Sequence, residues 1–115
     1  MQKESSSSVR IFYPKYSRDE IVERVKGKLD QLNQKLNLYR VVLFGSYAKG
    51  NYAAASDIDL LVVYRDEPKE DPFRLVKETI DISGLEPHLY RENEYAEMEE
   101  VLEKMEEGGV VLWET

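Results

Sequence analysis

Two short runs constrain this chain most: Arg40 to Phe44 and Ile58 to Tyr64 are rich in β-branched and aromatic residues and do not alternate with polar ones. A strand with one wet face alternates, whereas a strand covered on both faces reads as a nearly continuous apolar run. Both runs are therefore expected to be central strands of a sheet with helices packed on it. The flanking sequence supplies those helices. Ser17 and Glu20 form a capping box, and Ile21, Val22, Val25, Leu29, Leu32 and Leu36 recur at helical spacing, which predicts a helix over 18–37. Asp71-Pro72 opens a second helix carrying Phe73, Val76 and Ile80 and ending before Gly84. Leu85 to Tyr90 reads as a third strand in which Pro87 requires an edge or a bulge. Tyr95, Met98, Leu102 and Met105 mark the core face of a third helix, stopped by Gly108-Gly109, and Val110 to Trp113 reads as a terminal strand or docking tail in which Trp113 packs. Helices alternating with buried strands predict an α/β layer fold, with helices against a small sheet.

The 115 residues suit one compact domain. Residues 9–115 are read as that domain. Residues 1–8, with the run Ser5 to Ser8, are read as a disordered lead-in, followed by an edge strand at Ile11-Phe12-Tyr13 that Pro14 ends. No apolar stretch approaches the ~20 residues of a bilayer span, and the first residues lack the apolar centre of a secretory signal. No membrane association and a cytoplasmic location are expected.

The chain has no cysteine, so disulfides, thiolate metal sites and a cysteine nucleophile are excluded, and any metal must be held by oxygen or by His88. A net charge of −7 argues against binding extended nucleic acid, which requires many neutralised phosphates. The charge is uneven: residues 1–50 carry 10 basic and 5 acidic side chains, residues 51–115 carry 6 and 18. Solvated helix faces account for this most simply, and a basic surface for an anionic ligand is the other reading.

The chemistry is concentrated between the two strands. Gly45-Ser46 follows the first strand directly, and Ser46 is expected to cap a short helix over Tyr47 to Lys49, so that free backbone N–H groups and a hydroxyl converge on one point suited to phosphate oxygens. Gly45 permits close approach of backbone to ligand, and Lys49 adds a positive charge. A triphosphate suits this corner. Asp57 and Asp59 bracket Ile58 at the start of the second strand, and the two-residue period puts both carboxylates on one face, about 7 Å apart at Cα. A divalent cation, magnesium or manganese, relieves their repulsion. Otherwise Asp57 caps a turn after Ser56 and Asp59 lies on a strand edge. Tyr47, Tyr52 and the run Ala53 to Ala55 belong to the connecting loop, where an aromatic either stacks on a base or packs beneath.

Gly45-Ser46, ten intervening residues and Asp57-Ile58-Asp59, with Lys49-Gly50 and Ser56 between, resemble the signature of the DNA polymerase beta-like nucleotidyltransferases, and the short chain resembles their minimal nucleotidyltransferases. The resemblance implies a nucleotidyltransferase-like small mixed sheet with helices packed against it. It implies transfer of a nucleoside monophosphate, with ATP the expected donor, to a hydroxyl, organised by two Mg2+ ions. In that reading Asp57 and Asp59 hold the metals, and Gly45 and Ser46 hold the terminal phosphates. The family's third carboxylate, commonly an aspartate on the following strand, falls here to Glu86, a departure that bears on turnover; the other reading of Glu86 is an exposed strand glutamate. His88 shares its face and either meets acceptor or metal or is an ordinary solvated histidine.

Minimal nucleotidyltransferases often act as antitoxins by modifying a tyrosine of a small all-helical HEPN-type partner, so such a partner is expected, with self-association left open. A non-catalytic subunit that neutralises its partner by binding is the alternative, and a small-molecule, aminoglycoside-like acceptor is a third.

Overall fold

The structure is a computed structural model that describes residues 16–50 and 57–115. The serine run, the Ile11-Phe12-Tyr13 strand, Tyr52, Ala53 to Ala55 and Ser56 lie outside the described residues.

Helix α1 spans Arg18–Leu36. Its capping box is reciprocal: Glu20 N–H donates to Ser17 Oγ at 3.2 Å, and Ser17 N–H donates to Glu20 Oε1 at 3.0 Å. These bonds satisfy donors that the first helical turn leaves open, and they hold the Glu20 carboxyl below its usual range. Ile21, Val25, Leu29, Leu32 and Leu36 form the buried stripe. The chain leaves the helix at Asn37 in the left-handed conformation and enters strand β1, Leu38–Phe44. A short helix α2, Gly45–Lys49, follows, then β2 at Ile58–Tyr64, α3 at Pro72–Ile80 and β3 at Leu85–Arg91. Helices α4, Glu92–Glu97, and α5, Glu99–Glu106, precede β4, Val110–Glu114. No helix among the described residues is long and apolar enough to cross a membrane.

The four strands form one mixed sheet in the order β3-β2-β1-β4. β1 runs antiparallel to β2 and β4, while β2 and β3 are parallel and joined through α3. The two continuous apolar runs are thus the two central strands, as their sequences require. One sheet face carries Val41, Leu43, Ile58, Leu60 and Val62 against α1 and α3 in the larger core. The other carries Val42, Phe44, Leu61 and Val63, with Tyr39, Tyr90, Tyr95 and Met105 packed on them. Pro87 sits opposite Leu60 on β3, an edge strand, where its missing N–H removes no bond to a second neighbour.

The stripe Tyr95, Met98, Leu102, Met105 is not one continuous core face. Leu102 is fully buried, but Met98 is exposed, because it separates α4 from α5 with non-helical backbone and resets the helical phase. Trp113 packs against the larger core, as expected of it. At the far end of the sheet, Arg40 Nε donates to Glu106 Oε1 at 2.8 Å and Tyr95 donates its hydroxyl to Glu106 Oε2 at 2.7 Å, tying α4 and α5 to β1.

Burial and the Glu106 hydrogen bond push the Tyr95 hydroxyl up to about 12. A group whose folded pKa is raised contributes stability that is complete below its unfolded value, about 10, and is lost as pH rises through the folded one. The wild-type chain should therefore lose more stability than Tyr95→Phe across that alkaline window, as measured by urea unfolding at stepped pH. Two glycines give a second test. A Cβ at Gly109 would lie 2.8 Å from the Glu106 carbonyl and 2.9 Å from that of Leu43, whereas at Gly27, inside α1, it would meet nothing. Gly109→Ala should cost about 1–3 kcal/mol and Gly27→Ala should gain up to about 1 kcal/mol in the same assay.

Candidate active site

The candidate site forms where β1 ends and β2 begins. Phe44, the last residue of β1, stands opposite Asp59 in the antiparallel ladder. Gly45 then turns the chain with φ +77°, a left-handed value that costs other L-residues about 1–2 kcal/mol. Its second requirement is space. A Cβ built on Gly45 would lie 2.5 Å from Asp59 Oδ2, a distance no side chain tolerates. Glycine is therefore fixed here twice, by conformation and by the neighbouring carboxylate.

Helix α2 begins at Gly45, with Phe44 in the capping position and no side-chain cap. This corrects the expectation that Ser46 caps the helix: the left-handed bend starts the helical turn one residue earlier, so Ser46 lies inside its first turn. The N–H groups of this turn still lack intrahelical acceptors. Tyr47 is buried and donates its hydroxyl to the Tyr16 carbonyl at 3.2 Å, which makes it a packing residue. Arg18 donates to the Ala48 carbonyl at 3.1 Å and ties α2 to α1. Lys49 is exposed, and its stem passes over Gly108, where a Cβ would lie 3.5 Å from Lys49 Cγ.

Across the sheet, Ile58 is buried on the α1 side and donates its N–H to the Gly84 carbonyl at 2.8 Å, fixing the start of β2. Alternation along β2 places Asp59 on the opposite face, and Asp57 immediately precedes the strand. Asp57 is exposed, whereas the Asp59 side chain retains 27% exposure. Glu86 is the register partner of Asp59 in the parallel β2–β3 ladder, so the candidate third carboxylate stands one strand spacing away, about 4.8 Å between strands. His88 follows on the same face, with Nε2 3.2 Å from Asp59 Oδ1 and its ring edge-on to Phe44 at 4.9 Å between centroids. This contact was not legible in the sequence; the signal that reveals it is the Asp59–Glu86 register, which brings a residue two positions on within reach of the same aspartate.

Among the described residues, no three histidine, aspartate or glutamate side chains converge as a preformed metal cage. The donor chemistry nevertheless fits a hard divalent cation: oxygen donors on adjacent strands of one face, no thiolate, and a glycine that leaves Asp59 Oδ2 uncovered by any Cβ.

The glycine bend at the end of β1 packs against Asp59 on the neighbouring strand β2, and the comparison with known proteins gives the family. Residues 22–111 match the nucleotidyltransferase domain family, and the chain belongs to it. Two Methanocaldococcus jannaschii proteins named as candidate protein adenylyltransferases are similar over 51 residues. MJ0141 is 41% identical over 43% of this chain and 52% of its own length. MJ1305 is 39% identical over 44% of this chain and 31% of its own length. The matched stretch thus spans about half of one relative and a third of the other. Among solved structures, a candidate nucleotidyltransferase from Sulfolobus solfataricus superposes with a TM-score of 0.55 at 19% identity, over 84% of this chain and 83% of that one. A toxin–antitoxin structure containing AMP-PNP superposes with a TM-score of 0.53 at 24% identity, over 78% and 73%. Both are likenesses of fold, and they bear out the mixed sheet with helices expected from the sequence.

Gly45→Ala should displace the Asp59 carboxylate. Melting should show a loss of about 1–3 kcal/mol, and Mn2+ titration followed by electron paramagnetic resonance should show weakened binding. Unchanged binding would mean that the bend and the carboxylate are independent.

Proposed function

We propose that this chain transfers the AMP moiety of ATP to a hydroxyl of a protein partner in a metal-dependent reaction, acting in the cytoplasm. The observation that carries the proposal is the packing of Gly45 against Asp59, with Asp57 one alternation earlier and Glu86 in register on the next strand. Family membership supports nucleotidyl transfer, and the names of the two archaeal relatives support adenylate as the group and protein as the acceptor.

In this reading the backbone N–H groups after the Gly45 bend and the Ser46 hydroxyl bind the terminal phosphates, with Lys49 adding charge. Asp57, Asp59 and Glu86 would hold Mg2+, two ions in the full site, or Mn2+ in its place. The metal supplies charge neutralisation at the phosphates and lowers the cost of ionising the acceptor hydroxyl. A bond forms between the acceptor oxygen and the α-phosphorus, the bond from that phosphorus to the bridging oxygen breaks, and pyrophosphate leaves. Glu86, at the exposed edge strand where an acceptor can approach, takes the hydroxyl proton on its carboxylate. A tyrosine of a small all-helical HEPN-type protein is the proposed acceptor, with modification neutralising a toxin. The toxin–antitoxin assembly of a protein with this fold makes such a partner the first to try.

A second reading, neutralisation by binding alone, draws on the absence of a preformed metal cage among the described residues. One experiment separates the two. The chain is incubated with α-labelled ATP, Mg2+ and the partner, beside Asp57→Asn, Asp59→Asn and Glu86→Gln. Catalysis predicts label on the partner, a loss of about 1,000-fold or more for each aspartate and about 100-fold or more for Glu86→Gln. Equal neutralisation of the partner by the wild type and both aspartate variants, without label, would establish the binding reading.

A further inference from the structure

We propose that His88 is a positioning residue that pins the Asp59 carboxylate in the orientation the site uses. The inference rests on the nucleotidyltransferase reading of the site and goes beyond it, because His88 has no part in that reading. The two oxygens of Asp59 have different neighbours. Oδ1 lies 3.2 Å from His88 Nε2, within hydrogen-bonding distance, and since a carboxylate oxygen only accepts, the bond requires the proton on Nε2. Oδ2 faces the space that a Cβ on Gly45 would fill. One oxygen is therefore occupied by an imidazole of β3, and the other is directed to the phosphate bend after β1.

The ring is itself held. Its edge contact with Phe44, at 4.9 Å between centroids and 66° between planes, places it against a side chain that is 8% exposed. Phe44, Asp59 and His88 come from three adjacent strands, so the sheet's own register sets the hydrogen bond. Asp57 and Glu86, both exposed, have no such partner among the described residues. The site thus contains one carboxylate held by a side-chain hydrogen bond and two that are exposed. Outer partners that orient metal-binding carboxylates contribute about 10–100-fold to metal affinity, which is the effect expected of His88.

Two substitutions divide the ring from the donor. His88→Phe keeps an aromatic edge on Phe44 and removes the N–H, whereas His88→Gln removes the ring and places an amide N–H near the position of Nε2. Mn2+ affinity is measured on the whole chain by electron paramagnetic resonance, with thermal melting of each variant alongside and Asp59→Ala as the reference. The expected result is loss of binding in Asp59→Ala, a decrease of about 10-fold or more in His88→Phe with near-wild-type melting, and recovery to within about threefold of wild type in His88→Gln. Wild-type affinity in His88→Phe, while Asp59→Ala loses binding, overturns the positioning role and leaves the site reading intact. Mn2+ binding that is absent in the wild type or indifferent to Asp59→Ala overturns the site reading, and this inference with it. Should His88→Phe melt early, the wild-type ring answers alone. This is the chain's one histidine, so its ring N–H signal needs assigning only between Nδ1 and Nε2. Slow exchange of that proton at Nε2 supports the pin, and rapid exchange with water overturns it.

Discussion

At one point in this fold there is no room for a methyl group, and the site depends on it. The Asp59 carboxylate occupies the place a side chain at residue 45 would need, and the same residue takes a left-handed turn that starts α2. The first N–H groups of that turn, which have no helical acceptors, are thereby brought beside a negatively charged group. A phosphate bound to those N–H groups would meet the Asp59 carboxylate at close range. Two anions so placed repel strongly in a partly buried setting. A cation between them would resolve the conflict, which is why the proposed reaction takes its phosphate ligand loaded with a metal.

The charge distribution is consistent with placing that ligand at the bend and not elsewhere on the same sheet face. At the far end, a cleft of about 600 Å³ is lined by Tyr39, Arg40, Tyr95 and several glutamates of α5 and β4. Arg40, the basic side chain of this cleft, is paired with Glu106 and Glu114. The glutamates of α4 and α5 are exposed except Glu106, which bonds both Arg40 and Tyr95. The acidic side chains of the second half are thus largely solvated, on helices, loops and strand ends alike, and they disfavour a polyanion at this end.

The fold was legible where one element decides its own state. The Ser17–Glu20 box and the stripe from Ile21 to Leu36 specify α1 locally, and the short, largely apolar, β-branched run Ile58 to Tyr64 favours a covered strand. Reading failed where two elements decide together. The stripe through Met98 has helical spacing, yet the phase changes there as the chain divides into α4 and α5, each placed by its own contacts with the sheet. Ser46 has the composition of a cap, but the glycine before it, fixed by a carboxylate on another strand, takes over the start of the helix. The same holds for the site. Period-two alternation puts Asp59 on the face opposite Ile58, because that is a property of one strand. The neighbours of Asp59 on the flanking strands, Glu86 and His88, follow from pairing register, which no single segment encodes.

In the proposed reaction the three acids stand in unlike settings, which suits magnesium that arrives together with a nucleotide. Asp59 lies on a central strand, half-buried and hydrogen-bonded, while Glu86 lies on an edge strand and Asp57 just before β2, both exposed. Three carboxylates fixed at metal distance without a cation would repel one another and destabilise the sheet edge. Magnesium also keeps much of its coordination for water and substrate phosphate, and takes only one or two carboxylates from such a protein. A site with one hydrogen-bonded aspartate and two exposed acids would therefore carry little repulsion when empty, and under the proposed function a triphosphate would bring the remaining oxygens. The strand order, which sets one acid inside the sheet and another at its rim, makes that division before any ligand arrives.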